Sequence, residues 1–243
     1  MRTAFLTAFL VCTASALADG QTAAVPLEEA LVQYEAAVAA DSNAQAALVN
    51  AALAAVTIAE YQPASAERDS LFARAVRHAR RAVALNDADA QAHFALARAL
   101  GRFALTQGVR DQARLATEIR HEALAALAIQ PDHAGAHHVL GLWHKTVMKL
   151  NSVQRLVART FLGAKGMREA SWDQAVSHLE TAVRAEPNVM VHRLNLGRLY
   201  IDRKQWDQAR EQLQWVLQAP SVDYNDENYR REAEKSLKRI PQE

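Results

Sequence analysis

The sequence predicts an all-α protein built from repeated helix pairs, and three observations point there. Alanine, leucine, glutamate, glutamine and arginine dominate, and all are good helix formers. Glycine and proline number only 8 and 6 in 243 residues, too few for the turn chemistry of an all-β fold. Third, the tetrapeptide Trp-Asp-Gln-Ala occurs twice, at Trp172–Ala175 and Trp206–Ala209, and the copies start 34 residues apart. Apolar residues around both copies recur at helical spacing.

In chain order, the first segment is "MRTAFLTAFLVCTASALADG". Arg2, the apolar stretch Ala4 to Leu17 and the small-x-small run Ala16-Leu17-Ala18 predict a secretory signal peptide over 1–18, cut after Ala18. The stretch is short for a permanent membrane anchor. Cys12 could suggest lipid attachment, but Val11 stands where a lipoprotein signal needs a small residue. Cys12 is the single cysteine, so the mature chain must hold together by packing without disulfides. With Arg2 set aside, 27 basic residues balance 27 acidic ones, which argues against a nucleic-acid partner.

After a flexible stretch at 19–26, helices are expected at Leu27–Ala40, Asn43–Tyr61 and Ala66–Leu85, with breaks at Asp41-Ser42 and Gln62-Pro63. Asn43–Glu60 is nearly free of charge, but Gln45, Asn50 and its many alanines suit a buried helix better than a membrane span. "ADAQAHFALARAL", "AGAHHVLGLWH" and "NVMVHRLNLGRLY" then present the same half-unit, with Leu96-Ala97, Leu140-Gly141 and Leu196-Gly197 in register. "RRAVALND", "LAALAIQP" and "ETAVRAEP" end the helix before each. A small residue beside a large one lets neighbouring helices approach and interlock. In the second half-unit Ala175 aligns with Ala209, Leu179 with Leu213, and Ala182 with Val216.

A period of 34, two helices per period and Pro131 and Pro187 at the junctions resemble tetratricopeptide repeats (TPR). That resemblance implies a right-handed helical-hairpin solenoid over 27–240. Its clearest repeats fall at 88–130, 132–186 and 188–220, with a capping helix at 226–240. The cap reads from Tyr229, Ala233, Leu237 and Ile240 on one stripe of Glu227–Ile240. The repeats are not contiguous. Leu96 and Leu140 are 44 residues apart, ten more than the period, and Leu140 and Leu196 are 56 apart, 22 more. The larger insertion lies within Lys145–Ser171 and reads as an amphipathic segment.

"RHARRAVALNDADAQAHFALARALG", "HEALAALAIQPDHAGAHHVLGLW", "RTFLGAKGMREASWDQAVSHLETAVRAEP" and "LNLGRLYIDRKQWDQA" occur in this order from about Ala66 onward. This succession resembles the TPR domain of the regulator of microtubule dynamics family, whose bacterial relatives are exported. The chain departs from the family where it has His93-Phe94-Ala95 in place of an aromatic-rich "WYA"-like stretch, and in its N-terminus. The resemblance implies a TPR fold. Membrane association or lipid binding, seen in some animal members, comes from it by analogy alone, and a microtubule role does not suit an exported protein.

Three sets of residues are candidates for function. His133, His137 and His144 share a helix face, but no HExxH pattern, carboxylate pair or cysteine accompanies them. His93 occupies the same repeat slot as His137, so packing is the expected role and no metal site is assigned. On the inner face of the array the expected surface is Phe94, Arg98 and Arg102, then His138, Leu142 and Lys145, then Leu194, Arg198 and Ile201. Its cations and apolar groups would suit an extended peptide or an amphiphile with an acidic end. The insertion carries Lys145, Lys149, Arg155, Arg159, Lys165 and Arg168 and no acidic residue up to Arg168. With Val153, Leu156, Val157, Thr160 and Phe161 it would either lie on an anionic surface or fold back over the solenoid.

Catalytic residues and cofactors are not expected. There is no Gly-x-Ser-x-Gly elbow, "GAKG" at Gly163–Gly166 lacks the phosphate-loop ending, and Ser177 and His178 point apart on a helix. The sequence therefore predicts an exported binding module, a protein-interaction scaffold in the periplasm, with carriage of a lipid-like molecule as the alternative.

Overall fold

The computed structural model describes residues 25–241, and only the backbone for 162–167. The leader expected at 1–18 lies outside the described residues. Eleven helices follow one another among them: α1 (Leu27–Ala40), α2 (Gln45–Ala59), α3 (Ala66–Leu85), α4 (Ala90–Ala104), α5 (Val109–Ile129), α6 (Ala134–Met148), α7 (Ser152–Glu169), α8 (Trp172–Ala185), α9 (Met190–Asp202), α10 (Trp206–Gln218) and α11 (Asp226–Leu237). No helix among the described residues is long and apolar enough to cross a membrane.

Their starts are written in side chains that satisfy the free amides of a first turn. Ser65 accepts from the Arg68 amide, Asp89 from those of Gln91 and Ala92, and Ser171 from that of Gln174. Asn151 and Gln154 form a reciprocal capping box at the start of α7. The helices then pair as α2–α3, α4–α5, α6–α8 and α9–α10, which is the TPR-like solenoid. α1 packs on α2, and α11 packs on α10 and α9. The uncharged α2 lies between α1, α3 and α4, with Leu48, Ala51, Ala52, Ala55 and Val56 fully buried.

The doubled Trp-Asp-Gln-Ala marks the closest approaches within a pair. A Cβ on Gly141 would lie 2.6 Å from Leu179 Cγ and 3.2 Å from the Ala175 carbonyl oxygen. On Gly197 it would lie 2.8 Å from Leu213 Cγ and 3.4 Å from the Ala209 carbonyl oxygen. In the α4–α5 pair the corresponding residues are Ala97 and Ala123, both buried in one cluster. One methyl more on one helix is offset by a smaller side chain opposite.

The histidine slot has a physical role in the same frame. His93 Nε2 bonds the Asp87 carbonyl (2.8 Å), His137 Nε2 the Pro131 carbonyl (2.9 Å), and Arg193 Nε the Pro187 carbonyl (3.0 Å). Each also reaches the second helix of its pair, at Glu122, His178 and Gln212. These partners stand 29, 41 and 19 residues on, so the ten and 22 extra residues fall between the two helices of a pair. The first insertion lengthens α5 to 21 residues, and the second forms α7, which packs on α5.

Candidate binding groove

The first helices of the pairs, α2, α4, α6 and α9, present their inner faces toward one side, and α11 comes across to meet them. Asn225, 1% exposed at the start of α11, donates to the Thr57 carbonyl of α2 at 2.8 Å. Tyr229 of α11 meets Tyr61 edge-on, with ring centres 5.7 Å apart. α11 thus caps α9 and α10 and also reaches back to the first pair. Between these elements lies a cavity of about 300 Å³. Leu142, Val191 and Leu194 supply its apolar lining, Tyr61 and Asn195 its neutral polar groups, and Arg102, Glu60, Arg198 and Glu232 its charges.

The charges gather around two carboxylates, each holding two cations. Glu60, its side chain 3% exposed, takes Arg102 and also Arg98 (3.4 Å), and Arg98 donates to Thr57 Oγ1 (3.1 Å). Arg198 pairs with Glu232 and donates to Ser236 Oγ at 3.1 Å. Hydrogen bonds from Lys235 and Arg198 hold the Glu232 carboxyl below its usual range, against partial burial. Burial and the neighbouring Glu60 push the Tyr61 hydroxyl up to about 12, so it stays protonated. The four charged lining residues sum to zero, and Arg98 and Lys235 stand as second cations on the same carboxylates.

Of the residues read from the sequence, Arg102, Arg198, Leu142 and Leu194 line this cavity. Phe94 does not: its ring lies against Gly135, where a Cβ would fall 2.4 Å away, and tilts over the His133 ring. Ile201 is buried in the core, and the neighbouring Asp202 takes the inner place at the end of α9. Asp202 binds Lys145 at 3.1 Å and Lys149 at 2.8 Å. Burial would raise the Asp202 carboxyl, but hydrogen bonds from Lys149 and Lys145 and their charges hold it below the usual range. Burial lowers the pKa of Lys145 against the pull of Asp202. Both lysines are therefore engaged within the chain.

His138 belongs to a buried chain of hydrogen bonds across the joint between α6 and α9. Asn195 Nδ2 faces His138 Nε2 (3.3 Å), His138 Nδ1 faces His192 Nδ1 (2.8 Å), and His192 Nε2 faces Glu186 Oε2 (3.0 Å). One assignment of protons satisfies every link, with the amide donating to His138, His138 to His192, and His192 to the carboxylate. Burial, then the charges of His192, Arg102 and Arg98, push the His138 pKa well below its usual value. A second group joins α6 to α8, where His137 Nδ1 meets His178 Nδ1 at 2.8 Å and His144 stacks on His178 at 5.5 Å. Among the described residues no group of three or more His, Cys, Asp or Glu could hold a metal ion.

In α7, Arg155, Arg159 and Arg168 are exposed, and Lys165 falls among residues of which only the backbone is described. Ala158 is buried, with Val157 and Phe161 half-buried beside it. Sequence reasoning missed Glu60, Tyr61, Glu232, Asn195 and Val191. A trace of two of them was present: Glu60 is the lone acid of its helix, and Asn195 stands where the other half-units have Val139 and Ala95.

Comparison with known proteins shows what the whole chain is similar to. The family described as Regulator of microtubule dynamics protein 1-3 matches residues 13–241. Regulator of microtubule dynamics protein 1 of Bos taurus is 24% identical over 136 residues, covering 56% of this chain and 42% of the bovine protein. The chain therefore spans less than half the length of that relative. Among solved structures, a thermophilic TPR protein of Thermus thermophilus superimposes with a TM-score of 0.63 at 17% identity, covering 87% of this chain and 90% of that one. At this identity the likeness concerns the fold.

Proposed function

Because the chain belongs to the regulator of microtubule dynamics family and has a TPR-like fold, we propose that it is a binding module whose inner cavity holds an extended segment of a partner protein. The observation that carries this reading is a mostly polar cavity that sets Arg102 beside Glu60 and Arg198 beside Glu232, with Leu142 and Val191 adding an apolar share. A purely anionic ligand would have to displace a carboxylate at each arginine, losing as much as it gained. A peptide offers both signs, backbone N–H groups for Asn195 Oδ1, whose amide nitrogen is already engaged by His138 and the Val191 carbonyl, and side chains for the apolar lining. Non-catalytic scaffolding in an exported setting is the working role, with export resting on Arg2 and the apolar stretch Ala4 to Leu17 as read from the sequence.

Two measurements test this reading. Native mass spectrometry of protein from the producing cell distinguishes cargo: retained phospholipid would replace the peptide reading with carriage of an amphiphile, while a bare chain that binds a defined peptide supports it. Cell fractionation with N-terminal sequencing tests export, for which a mature chain beginning at Asp19 outside the cytoplasm is the expected result. An intact Met1 in the cytoplasm would remove it.

A further inference from the structure

Among the described residues, α7 is the one helix inserted between the two members of a pair. It stands between α6 and α8, which pair with each other directly, and it rests on α5 through Ala158 with Val157 and Phe161 half-buried. Glu169, at its far end, pairs with Arg120 of α5. The opposite side of the helix is unusual for a water-facing surface. Val153 and Leu156 are each 72% exposed, three residues apart, with Thr160 continuing their stripe. Arg155 and Arg159 form the adjacent stripe, four residues apart and both exposed.

Many cations elsewhere are held by carboxylates, although the exposed Arg77, Arg81, Arg110, Lys204, Lys238 and Arg239 also make no ion pair among the described residues. Arg98 and Arg102 are held by Glu60, Arg120 by Glu169, Arg198 by Glu232, Arg203 by Asp173, and Lys145 and Lys149 by Asp202. Among the described residues, Arg155 and Arg159 make no ion pair. From Lys145 to Arg168 the sequence has no acidic residue that could supply one. The outer face therefore combines uncompensated positive charge with aliphatic side chains pointing to water at the same height.

We propose that α7 is an interfacial docking element that lays its Val153–Leu156–Arg155–Arg159 face on an anionic lipid surface, holding the solenoid against a membrane. The interleaving selects this occupant. An acidic protein surface would satisfy the arginines but leave Val153 and Leu156 in a polar setting. At a bilayer boundary the arginines reach phosphates while the aliphatic groups enter the region beneath the headgroups. The anchoring α5–α7 contact keeps the helix folded before it docks, so binding orders little additional chain. The proposal stands apart from the inner cavity and does not depend on what the cavity holds.

Sedimentation of the full chain with vesicles tests it, comparing phosphatidylcholine alone with phosphatidylcholine containing phosphatidylglycerol. Binding is expected only with the anionic lipid and should weaken with salt. The pair Arg155→Gln and Arg159→Gln should reduce affinity about 25-fold, from about fivefold per surface cation. The pair Val153→Ser and Leu156→Ser should reduce it at least as much, whereas Asn195→Leu in the cavity should leave it unchanged. Circular dichroism identical to the parent shows that each variant is folded. Absence of binding to phosphatidylglycerol vesicles overturns the proposal. So does binding that survives the serine pair, because a surface acting by charge alone does not insert.

Discussion

Replacing Gly141 by alanine would put a methyl group 2.6 Å from Leu179 Cγ, 3.0 Å from its Cδ2 and 3.2 Å from the Ala175 carbonyl oxygen. Leu179 is fully buried and the clash falls at its branch point, so no rotation of a flexible tip relieves it. Overpacking of this kind costs about 1–3 kcal/mol. Alanine gains back roughly 1 kcal/mol of helix propensity over glycine. Gly101, within α4, supplies the control, because a Cβ there meets nothing within 4 Å. Gly101→Ala should therefore stabilise by up to about 1 kcal/mol, and the two variants should differ by about 1–3 kcal/mol, on the order of 2–10 °C in Tm. Leu179→Ala alone should cost about 2–5 kcal/mol. On that background Gly141→Ala should become stabilising, because the pair then copies Ala97 and Ala123. Thermal melts followed by circular dichroism measure all four variants. A Gly141→Ala melt raised as far as that of Gly101→Ala would refute the close-approach argument.

Three further outcomes follow from named contacts. Burial, with His137 and His144 adding, lowers His178 to about 4, and burial with Arg120 lowers His144 to about 4. Their folded values lie below the unfolded value near about 6.5, so stability is complete above that pH and declines as pH falls toward about 4. Denaturant midpoints at a series of pH values check this, and a midpoint constant through that window contradicts it. Asp202→Asn leaves Lys145, its side chain 16% exposed, without its carboxylate, and should lower stability by about 2 kcal/mol in urea unfolding. Asn225→Ala removes the tie from α11 to the Thr57 carbonyl, so amides of α11 should exchange markedly faster in hydrogen-exchange mass spectrometry while α8 stays protected.

The repeat was legible because its signals are local and recur. Gly141 and Gly197, each followed in the second helix by Ala175-Leu179 or Ala209-Leu213, encode the same close approach twice, and the caps at Ser65, Asp89 and Ser171 mark where helices start. The histidine slot was legible as structural for the same reason, although its bond to a carbonyl six residues back was not. The cavity was only half legible. Arg102, Arg198, Leu142 and Leu194 follow from helical phase within the repeats, but Glu60, Tyr61 and Glu232 come from α2 and α11, far apart in sequence. Nothing in a one-dimensional period says that α11 returns to α2. Pairing of Lys145 and Lys149 with Asp202 was hidden likewise, since 57 and 53 residues separate these partners. In α7 the periodicity gave an amphipathic helix but could not say which stripe faces α5. That choice leaves Leu156 in water.

Peptide recognition by the inner cavity is tested most directly by selecting binders from a random peptide display library on the intact protein. Their affinities are then measured for the parent chain and for variants. Leu142→Arg and Asn195→Leu alter the floor and the amide of the cavity, while Arg155→Gln with Arg159→Gln alters only α7. Selected peptides should lose at least tenfold in affinity with either cavity variant and bind the α7 variant as well as the parent. Peptides whose affinity is indifferent to both cavity substitutions would contradict it.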